Sequence, residues 1–349
     1  MRFAMCKKED IVRKDKKVCI IGAGPAGLTA AGYLICKGYQ VDVYDRLPEP
    51  GGLLIFGIPD FRFNKQFVLK GIKELYELGV KFFLQIEVGK NITIEDLINK
   101  YDAVIISTGT WKSRELNIPG SNLDGILHAL EFLVDVALAK KGYKRKNIIP
   151  SLSGSRVAVI GGGNTAMDAA RYAIRDKAKE VIILYRRNRE SAPAGKAEIK
   201  EAEKEGVKFL WLTSPCRFIG DKENRLKAIE LVKMKLGEID HTGRPRPIPI
   251  KGSEFIMEFD KAIIAIGEIP TPPFNDEEYG IKLTRRGTIL TDDKGRTTRK
   301  GVFAAGDVTT GPSLVGLAMM RGKKVAKSVH EYLETNEWPT LEEIISSNL

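Results

Sequence analysis

The sequence predicts an α/β chain of two three-layer, parallel-sheet domains, the second inserted into the first. Three observations predict it. Val18 to Ile21 reads as an apolar strand, Gly22-Ala23-Gly24-Pro25-Ala26-Gly27 as a tight turn, and Leu28 to about Cys36 as an Ala-rich helix; a second strand, Gln40 to Tyr44, then ends on Asp45. The same strand–turn–helix pattern restarts at Arg156, with Gly161 standing 139 positions beyond Gly22 and Ala166 in place of the third glycine. Finally, Asp102 to Gly109, an apolar strand ending in small residues, is echoed by Asp260 to Gly267. Strand, glycine turn, helix, strand and a terminal acid or its substitute make a Rossmann-like unit. A whole unit therefore occurs twice. The boundaries expected are 1–115 with 275–349 for the first domain and 116–274 for the second.

The glycine turn has a chemical reading. Its residues let backbone approach a pyrophosphate, which rests on exposed N–H groups at the positive end of the helix. Gly22, Gly24, Pro25, Ala26 and Gly27 are the candidates, and Asp45 would accept from adenosine ribose hydroxyls. After Asp45, Arg46 to Leu54 reads as a Pro/Gly loop in an extended path. A flat ring could pack on the bare backbone of Gly51 and Gly52, next to Leu53, and the loop continues through Phe56 to Arg62. Asn64 to Leu78 is a helix with Phe67, Ile72, Leu75 and Leu78 on one face and Gly79 as its stop. Val80–Phe83 and Ile86–Val88 are predicted strands and Thr93–Asn99 a short helix. Thr108 and Gly109, closing the next strand, would pass close to a bound dinucleotide.

Pro119-Gly120 marks a turn, Leu127 to Lys140 a helix, and Lys140 to Lys146 a basic, solvated linker. In the second unit Gly161, Gly163, Asn164, Thr165, Ala166 and Asp168 form the candidate cradle, with Gly267 at its second strand end. Its strand Val181–Leu184 runs into Tyr185-Arg186-Arg187 where the first copy has its acid. A 2′-hydroxyl wants a carboxylate, whereas a 2′-phosphate wants a guanidinium fork. Arg186 and Arg187, with Arg189 or Lys196 as further candidates, therefore suggest NADP(H). Lys196–Glu205 is a charged helix, Val207–Leu212 a strand, and 215–259 a set of antiparallel strands. Their turns fall at Gly220, Gly237 and His241-Thr242-Gly243, and Pro245, Pro247 and Pro249 mark an edge. Beyond Pro273, Thr288–Thr291 and Val302–Ala305 read as strands. Gly306-Asp307 then places an acid at a strand end beside a helix N-terminus, and Ser313 and Leu314 open a helix to about Leu333. That segment is expected to return to the first domain.

Composition narrows the class. A chain of 349 residues has room for about two domains. No run of about 18 apolar residues suggests a membrane span, and Met1–Lys17 has no apolar stretch like that of a signal peptide. A cytoplasmic location is the expectation. Cys6, Cys19, Cys36 and Cys216 are scattered, so no metal site and no redox dithiol is expected; Cys19 and Cys36 read as small core residues. The net charge of +11 favours an acidic partner, a small electron carrier among them, and could equally reflect a hot source. No nucleic-acid motif accompanies it. His128, His241 and His330 stand in no recognisable catalytic setting; His330-Glu331 reads as a surface pair.

Pro50-Gly51-Gly52-Leu53-Leu54, Gly57 to Arg62, Asn164 to Asp168, Tyr185-Arg186-Arg187 and Ser191 to Ala194 resemble the glutamate synthase small-subunit family of FAD-dependent pyridine nucleotide oxidoreductases. The resemblance covers 17 to about 335. It implies FAD on the first domain and NADPH on the second, with hydride passing to flavin N5. It also implies Asp45 on the FAD ribose, Asp307 on the ribityl chain, and Arg186 and Arg187 on the 2′-phosphate. No side chain is expected to be catalytic in its own right. Members of that family usually carry an N-terminal iron–sulfur domain. Here sixteen residues and one cysteine precede the first strand, so electrons are expected to leave for a separate protein. A large catalytic subunit, or an acidic or iron–sulfur carrier, would serve. The alternatives are a ferredoxin–NADP oxidoreductase and a non-catalytic nucleotide-binding subunit; a thioredoxin-reductase type is weaker because no C-x-x-C is present.

Overall fold

The computed structural model describes residues 1–240 and 243–346. The chain divides into two compact units, Met1–Lys112 with Glu268–Leu349, and Ser113–Gly267. The second unit thus begins and ends a few residues earlier than the expected 116–274.

In the first unit β1 (Lys17–Ile21), α1 (Pro25–Cys36), β2 (Gln40–Asp45), α2 (Leu53–Phe56), α3 (Gln66–Leu78), β3 (Lys81–Leu84), α4 (Ile94–Lys100), β4 (Ala103–Ile106) and β5 (Thr110–Ser113) follow in order. The second unit comprises β6 (Ile126–His128), α5 (Ala129–Lys140), β7 (Arg156–Ile160), α6 (Asn164–Arg175), β8 (Glu180–Tyr185), α7 (Lys196–Lys204) and β9 (Lys208–Trp211), then β10 (Thr213–Gly220), β11 (Leu226–Ile239), β12 (Pro245–Pro249), β13 (Phe255–Glu258) and β14 (Lys261–Ile264). The chain then returns through β15 (Glu268–Pro270), β16 (Val302–Ala304), α8 (Asp307–Thr310), α9 (Val315–Thr335) and α10 (Leu341–Ser346).

The two parallel sheets match strand for strand. The first is ordered β16-β4-β1-β2-β3 and the second β6-β14-β7-β8-β9. The central strands carry continuous apolar runs because both faces are covered. Val18, Cys19, Ile20 and Ile21 are all 3% exposed or less. In the second unit Val157 and Val159 pack against the α6 alanines, Ala166, Ala169, Ala170 and Ala173. Ala158 and Ile160, pointing the other way, meet Phe218, Ile229 and Leu231 of the antiparallel strands. Helices therefore cover one face and an antiparallel sheet the other. The Pro-rich strand β12 takes the edge beside β11, where missing N–H groups cost nothing.

Chain order reverses at β1, whose neighbours are β2 on one side and β4 on the other. A crevice at the carboxyl end of such a strand is the usual ligand site. The C-terminal segment does return: β16 pairs with β4, and α9 lies against α1, where Gly322 has no room for a Cβ because Ala26 O would lie 2.2 Å away. Helix α3 stops at Gly79, left-handed at φ 103°. Helix α4 begins with a reciprocal Thr93–Asp96 capping box.

Five expectations are corrected. Ile86–Val88 and Thr288–Thr291 are not strands; Val88 and Ile289 make only isolated bridges, to Ile92 and Leu283. Leu53–Phe56 coils into a helical turn instead of running extended, since Phe56 N–H reaches Gly52 O at 3.0 Å. Cys36 is not a free core thiol but is disulfide-bonded to Cys6, with Cα atoms 5.6 Å apart. His330 is not a bare surface residue: the Tyr39 hydroxyl lies 2.7 Å from its Nδ1, and partial burial followed by Lys14 lowers its pKa. Of the expected turn at 241–243, His241 and Thr242 lie outside the described residues.

Candidate functional sites

The first cradle is built where β1 ends. Gly22 turns at φ +104°, and a Cβ there would sit 2.5 Å from Ser107 O at the end of β4. Gly27 lets α1 close on the turn, since its Cβ would meet Gly22 O at 2.0 Å. Gly24 differs from both, for nothing lies within 4 Å of its Cβ position. It caps α1, with Pro25 and Ala26 following in the first turn, and the open space above it is where a pyrophosphate can come down on the helix N-terminus. Gly51 and Gly52 have a conformational role too, at φ +127° and +53°. Gly51 N–H donates to Ala23 O at 2.8 Å, and a Cβ on Gly52 would meet Gly24 Cα at 2.8 Å. They lead into Leu53 at the start of α2; Arg62, half-buried, lies on the loop between α2 and α3.

Asp45 ends β2 beneath this turn, 8% exposed. It accepts from Ala23 N–H at 2.6 Å and from Leu47 N–H at 2.8 Å. Burial raises its pKa, opposed by those two backbone donors and by Arg46. A carboxylate has about four acceptor positions, so acceptor capacity remains for two hydroxyls. A pocket beside it is lined by Arg46, Thr108, Trp111, Thr271 and Pro272. The Arg46 guanidinium lies 4.9 Å over the Trp111 ring, and the Trp111 indole donates to Thr108 O at 2.7 Å. Thr108 in turn donates to Thr271 O at 2.8 Å, and Gly109 O accepts from Thr271 N–H. Thr108 and Gly109 were expected at this dinucleotide site, whereas Trp111, Thr271 and Pro272 were not. No local motif marks them, because they meet only through the β5–β15 pairing.

Gly306, at φ +80°, turns the chain after β16 onto Asp307, and a Cβ on it would touch Ala26 at 2.9 Å. This turn therefore lies on the first turn of α1. The Ser313 hydroxyl donates to Asp307 at 2.6 Å, and Arg321 donates to the same hydroxyl at 3.0 Å. Burial raises the Asp307 pKa, against the Ser313 bonds and Arg321. Leu314, exposed, caps α9.

The second cradle repeats the first, with Ala166 in place of the third glycine, and departs from it further at the end of β8. Gly161 turns at φ +146°, with its Cβ position 2.1 Å from Ala265 O, and Gly163 faces open space as Gly24 does. Ala166 is buried, and Asn164 and Thr165 start α6. Asn164 Oδ1 is buried without a hydrogen-bond partner, an acceptor a ligand could use. Asp168 is 5% exposed, in the field of Arg171. Gly267, at φ +111°, accepts from Arg114 N–H at 2.9 Å. The further departure is at the end of β8. Gly22 N–H donates to Tyr44 O and Gly161 N–H to Leu184 O, so Tyr185 holds the place of Asp45. Its ring lies on Gly162 and its hydroxyl donates to Ser191 O at 3.0 Å. No carboxylate is offered there. The next residue, Arg186, is exposed and makes no hydrogen bond or ion pair within the described residues.

Two of the expected cations are otherwise engaged. Arg187 is 3% exposed; its guanidinium donates to Pro245 O and to Asp240, both at 2.7 Å. This burial does not support direct contact with a 2′-phosphate. Arg189 is forked onto Glu203 of α7. Lys196 is exposed at the start of α7.

Paired glycine cradles on matching parallel sheets define an oxidoreductase that handles two nucleotides. The pyridine nucleotide-disulphide oxidoreductase family model matches residues 16–322, and the chain belongs to that family. Within it, the relatives include glutamate synthase small chains. The chain is 39% identical over 340 residues to the glutamate synthase [NADPH] small chain of Halomonas elongata, covering 95% of this chain and 72% of that one. It is 42% identical over 320 residues to its counterpart in Azospirillum brasilense, covering 90% and 66%. It is also 40% identical over 336 residues to the NADP(+)-dependent formate dehydrogenase subunit beta of Moorella thermoacetica, 95% of this chain but 46% of that one. The chain thus spans from 46% to 72% of the length of these relatives. Among solved structures, FprA of Mycobacterium tuberculosis in complex with NADPH superposes with a TM-score of 0.80 at 21% identity, over 95% of this chain and 89% of that one. That likeness concerns the fold. The chain is a FAD-dependent oxidoreductase whose second nucleotide is NAD(P)H. No helix among the described residues is long and apolar enough to cross a membrane.

Proposed function

We propose that this chain takes electrons from NADPH and passes them, through FAD held in the first unit, to a separate protein. The observation that carries the reading is the contrast between the two cradles. One ends β2 on a carboxylate, Asp45, suited to ribose hydroxyls; the other ends β8 on Tyr185 and the free cation Arg186, suited to a 2′-phosphate. The flavin, when bound, supplies hydride acceptance and release of electrons, and the protein's task is binding and orientation.

In the first unit, Gly24 leaves room for the pyrophosphate over the α1 N-terminus, Asp45 orients the adenosine ribose, and Asp307 with Ser313 presents hydrogen-bonding groups at the neighbouring turn. Trp111 supplies an aromatic wall to the pocket beside Asp45. In the second unit, Gly163 and Asn164 receive the nucleotide phosphates and Arg186 the 2′-phosphate. The acceptor we propose is a protein, a large catalytic subunit or an iron–sulfur carrier, approached with the help of the net charge of +11. The small-chain and subunit names of the relatives support a partnered role. A ferredoxin-type partner working in the reverse direction is the alternative within the same chemistry. The test is NADPH oxidation by the FAD-loaded chain with a dye acceptor. Turnover with NADPH well above NADH supports the proposal; no turnover with either points to a non-catalytic nucleotide-binding subunit.

A further inference from the structure

Strand β11 runs on past its partners β10 and β13, and from Met234 onward it pairs with β12 alone. In this two-stranded ribbon Lys235 stands opposite Ile248, and Ile250 N–H donates to Lys233 O at 2.8 Å. Residues opposite one another share a face, and alternate residues point to the other. One face therefore carries Lys233, Lys235, Arg246, Ile248 and Ile250. The other carries Met234, 8% exposed, with Leu236 and Pro247 half-buried. The first face is open: its three cations are exposed, and Ile248 and Ile250 are 36% and 40% exposed. Ile248 folds over Gly237, where a Cβ would meet its Cδ1 at 2.6 Å, so the apolar strip lies along the ribbon. Lys233, Lys235 and Arg246 have no ion pair or side-chain hydrogen bond among the described residues; Lys233 meets Ser253 through its backbone N–H. The one carboxylate in 233–239 and 245–251 is Glu238, in the bulge opposite Arg246.

The edge of the ribbon is closed while this face is open. Ile250 N–H points inward to β11, so in an antiparallel ladder the alternate positions of β12 point outward. Pro245, Pro247 and Pro249 hold those positions, and the edge offers carbonyls without donors to pair with another strand.

We propose that the Lys233–Lys235–Arg246 face of the ribbon is the docking surface for an acidic electron-accepting protein. The proposal rests on reading the chain as one that hands its electrons to a separate protein. Charge decides the occupant. Three cations against one carboxylate leave an unneutralised positive surface, and a partner presenting carboxylates complements it. An apolar centre with a charged rim is the anatomy of a protein–protein contact. A nucleic-acid surface is more polar and far more densely positive.

The test uses the full-length, FAD-loaded protein and an acidic plant-type two-iron ferredoxin as probe. Binding is read by biolayer interferometry at about 50 and about 300 mM salt, which separates screened from unscreened contacts. Lys233→Glu, Lys235→Glu and Arg246→Glu combined should weaken the ferredoxin by about 10- to 100-fold at the lower salt and much less at the higher. Ile248→Ser with Ile250→Ser should weaken it by about 3- to 10-fold at both, since lost apolar contact is not screened. NADPH turnover with a dye acceptor should stay within about twofold in both variants, which also shows that they fold. Lys70→Glu, Lys179→Glu and Lys222→Glu combined reverse exposed cations elsewhere and change the net charge equally; they should weaken the ferredoxin by less than about threefold. Equal weakening by that control would mean that only net charge matters, and the surface would be overturned. So would a ribbon variant that binds ferredoxin as the parent does, a parent that does not bind it, or a DNA duplex that takes the same three cations in its place. Ferredoxin held at this face by a parent with no dye turnover upholds the surface and overturns the electron-transfer reading.

Discussion

Glycines at the two cradles do different jobs, and one substitution set separates them. Gly24 and Gly163 have φ of −78° and −93°, values any residue adopts, and nothing lies within 4 Å of either Cβ position. Gly24→Ala and Gly163→Ala should therefore leave the apoprotein's stability within about 1 kcal/mol of the parent. The new methyl group instead occupies the space a pyrophosphate needs. Overpacking of that kind costs about 1–3 kcal/mol, or roughly 5- to 150-fold in affinity. Gly24→Ala should weaken FAD alone, and Gly163→Ala should weaken NADP+ while FAD is retained. Gly22→Ala is the control: at φ +104°, with Ser107 O 2.5 Å from its Cβ, it strains the backbone itself and should destabilise the apoprotein by about 1–3 kcal/mol or more. The assays are chemical denaturation of the apoprotein, fluorescence titration of FAD and calorimetric titration of NADP+. The reasoning is refuted if Gly24→Ala destabilises the apoprotein as much as Gly22→Ala does, or binds FAD as tightly as the parent.

Other expectations follow from single contacts. Arg175 and then Arg171 hold the Glu205 carboxylate at a pKa of about 2, below its ordinary 4.5. A lowered carboxylate pKa stabilises the fold above the unfolded value and loses that contribution as pH falls from about 4.5 towards 2. The loss is at most about 3 kcal/mol and nearer 1–2 once solvent screening at the exposed Arg175 is counted. Glu205→Gln should flatten the acid limb of the stability–pH curve by that amount; an unchanged limb contradicts the assignment. Cys6→Ser opens a cross-link spanning 30 residues and should cost about 2–4 kcal/mol in urea unfolding, an effect that reductant reproduces in the parent and not in the variant. Gly322→Ala pushes α9 off α1, because its Cβ would lie 2.2 Å from Ala26 O, and should lower the melting temperature by several degrees.

The architecture was legible because it depends on local patterns. Fully buried strands such as Val18–Ile21 appear as apolar runs, and the turns at Gly22 and Gly161 announce themselves by spacing. The return of the C-terminal segment was also readable, through Gly306-Asp307 after the strand at Val302. What escaped were features set by distant partners. Cys36 sits in a helix that looks self-sufficient, and only folding brings Cys6 to it. Trp111 and Thr271 meet across 160 positions by strand pairing, which no local signal records. Arg187 looked equivalent to Arg186 by adjacency, yet in the bend that follows β8 it turns inward to Asp240, a partner 53 positions away that no local pattern marks.

The central claim is that an NADPH electron pair reaches flavin held by this same chain. Anaerobic addition of NADPH to the FAD-loaded protein, followed at the flavin's visible absorbance in a stopped-flow instrument, tests it most directly. The account predicts rapid bleaching with NADPH and much slower bleaching with NADH. Flavin that stays yellow under saturating NADPH would contradict it.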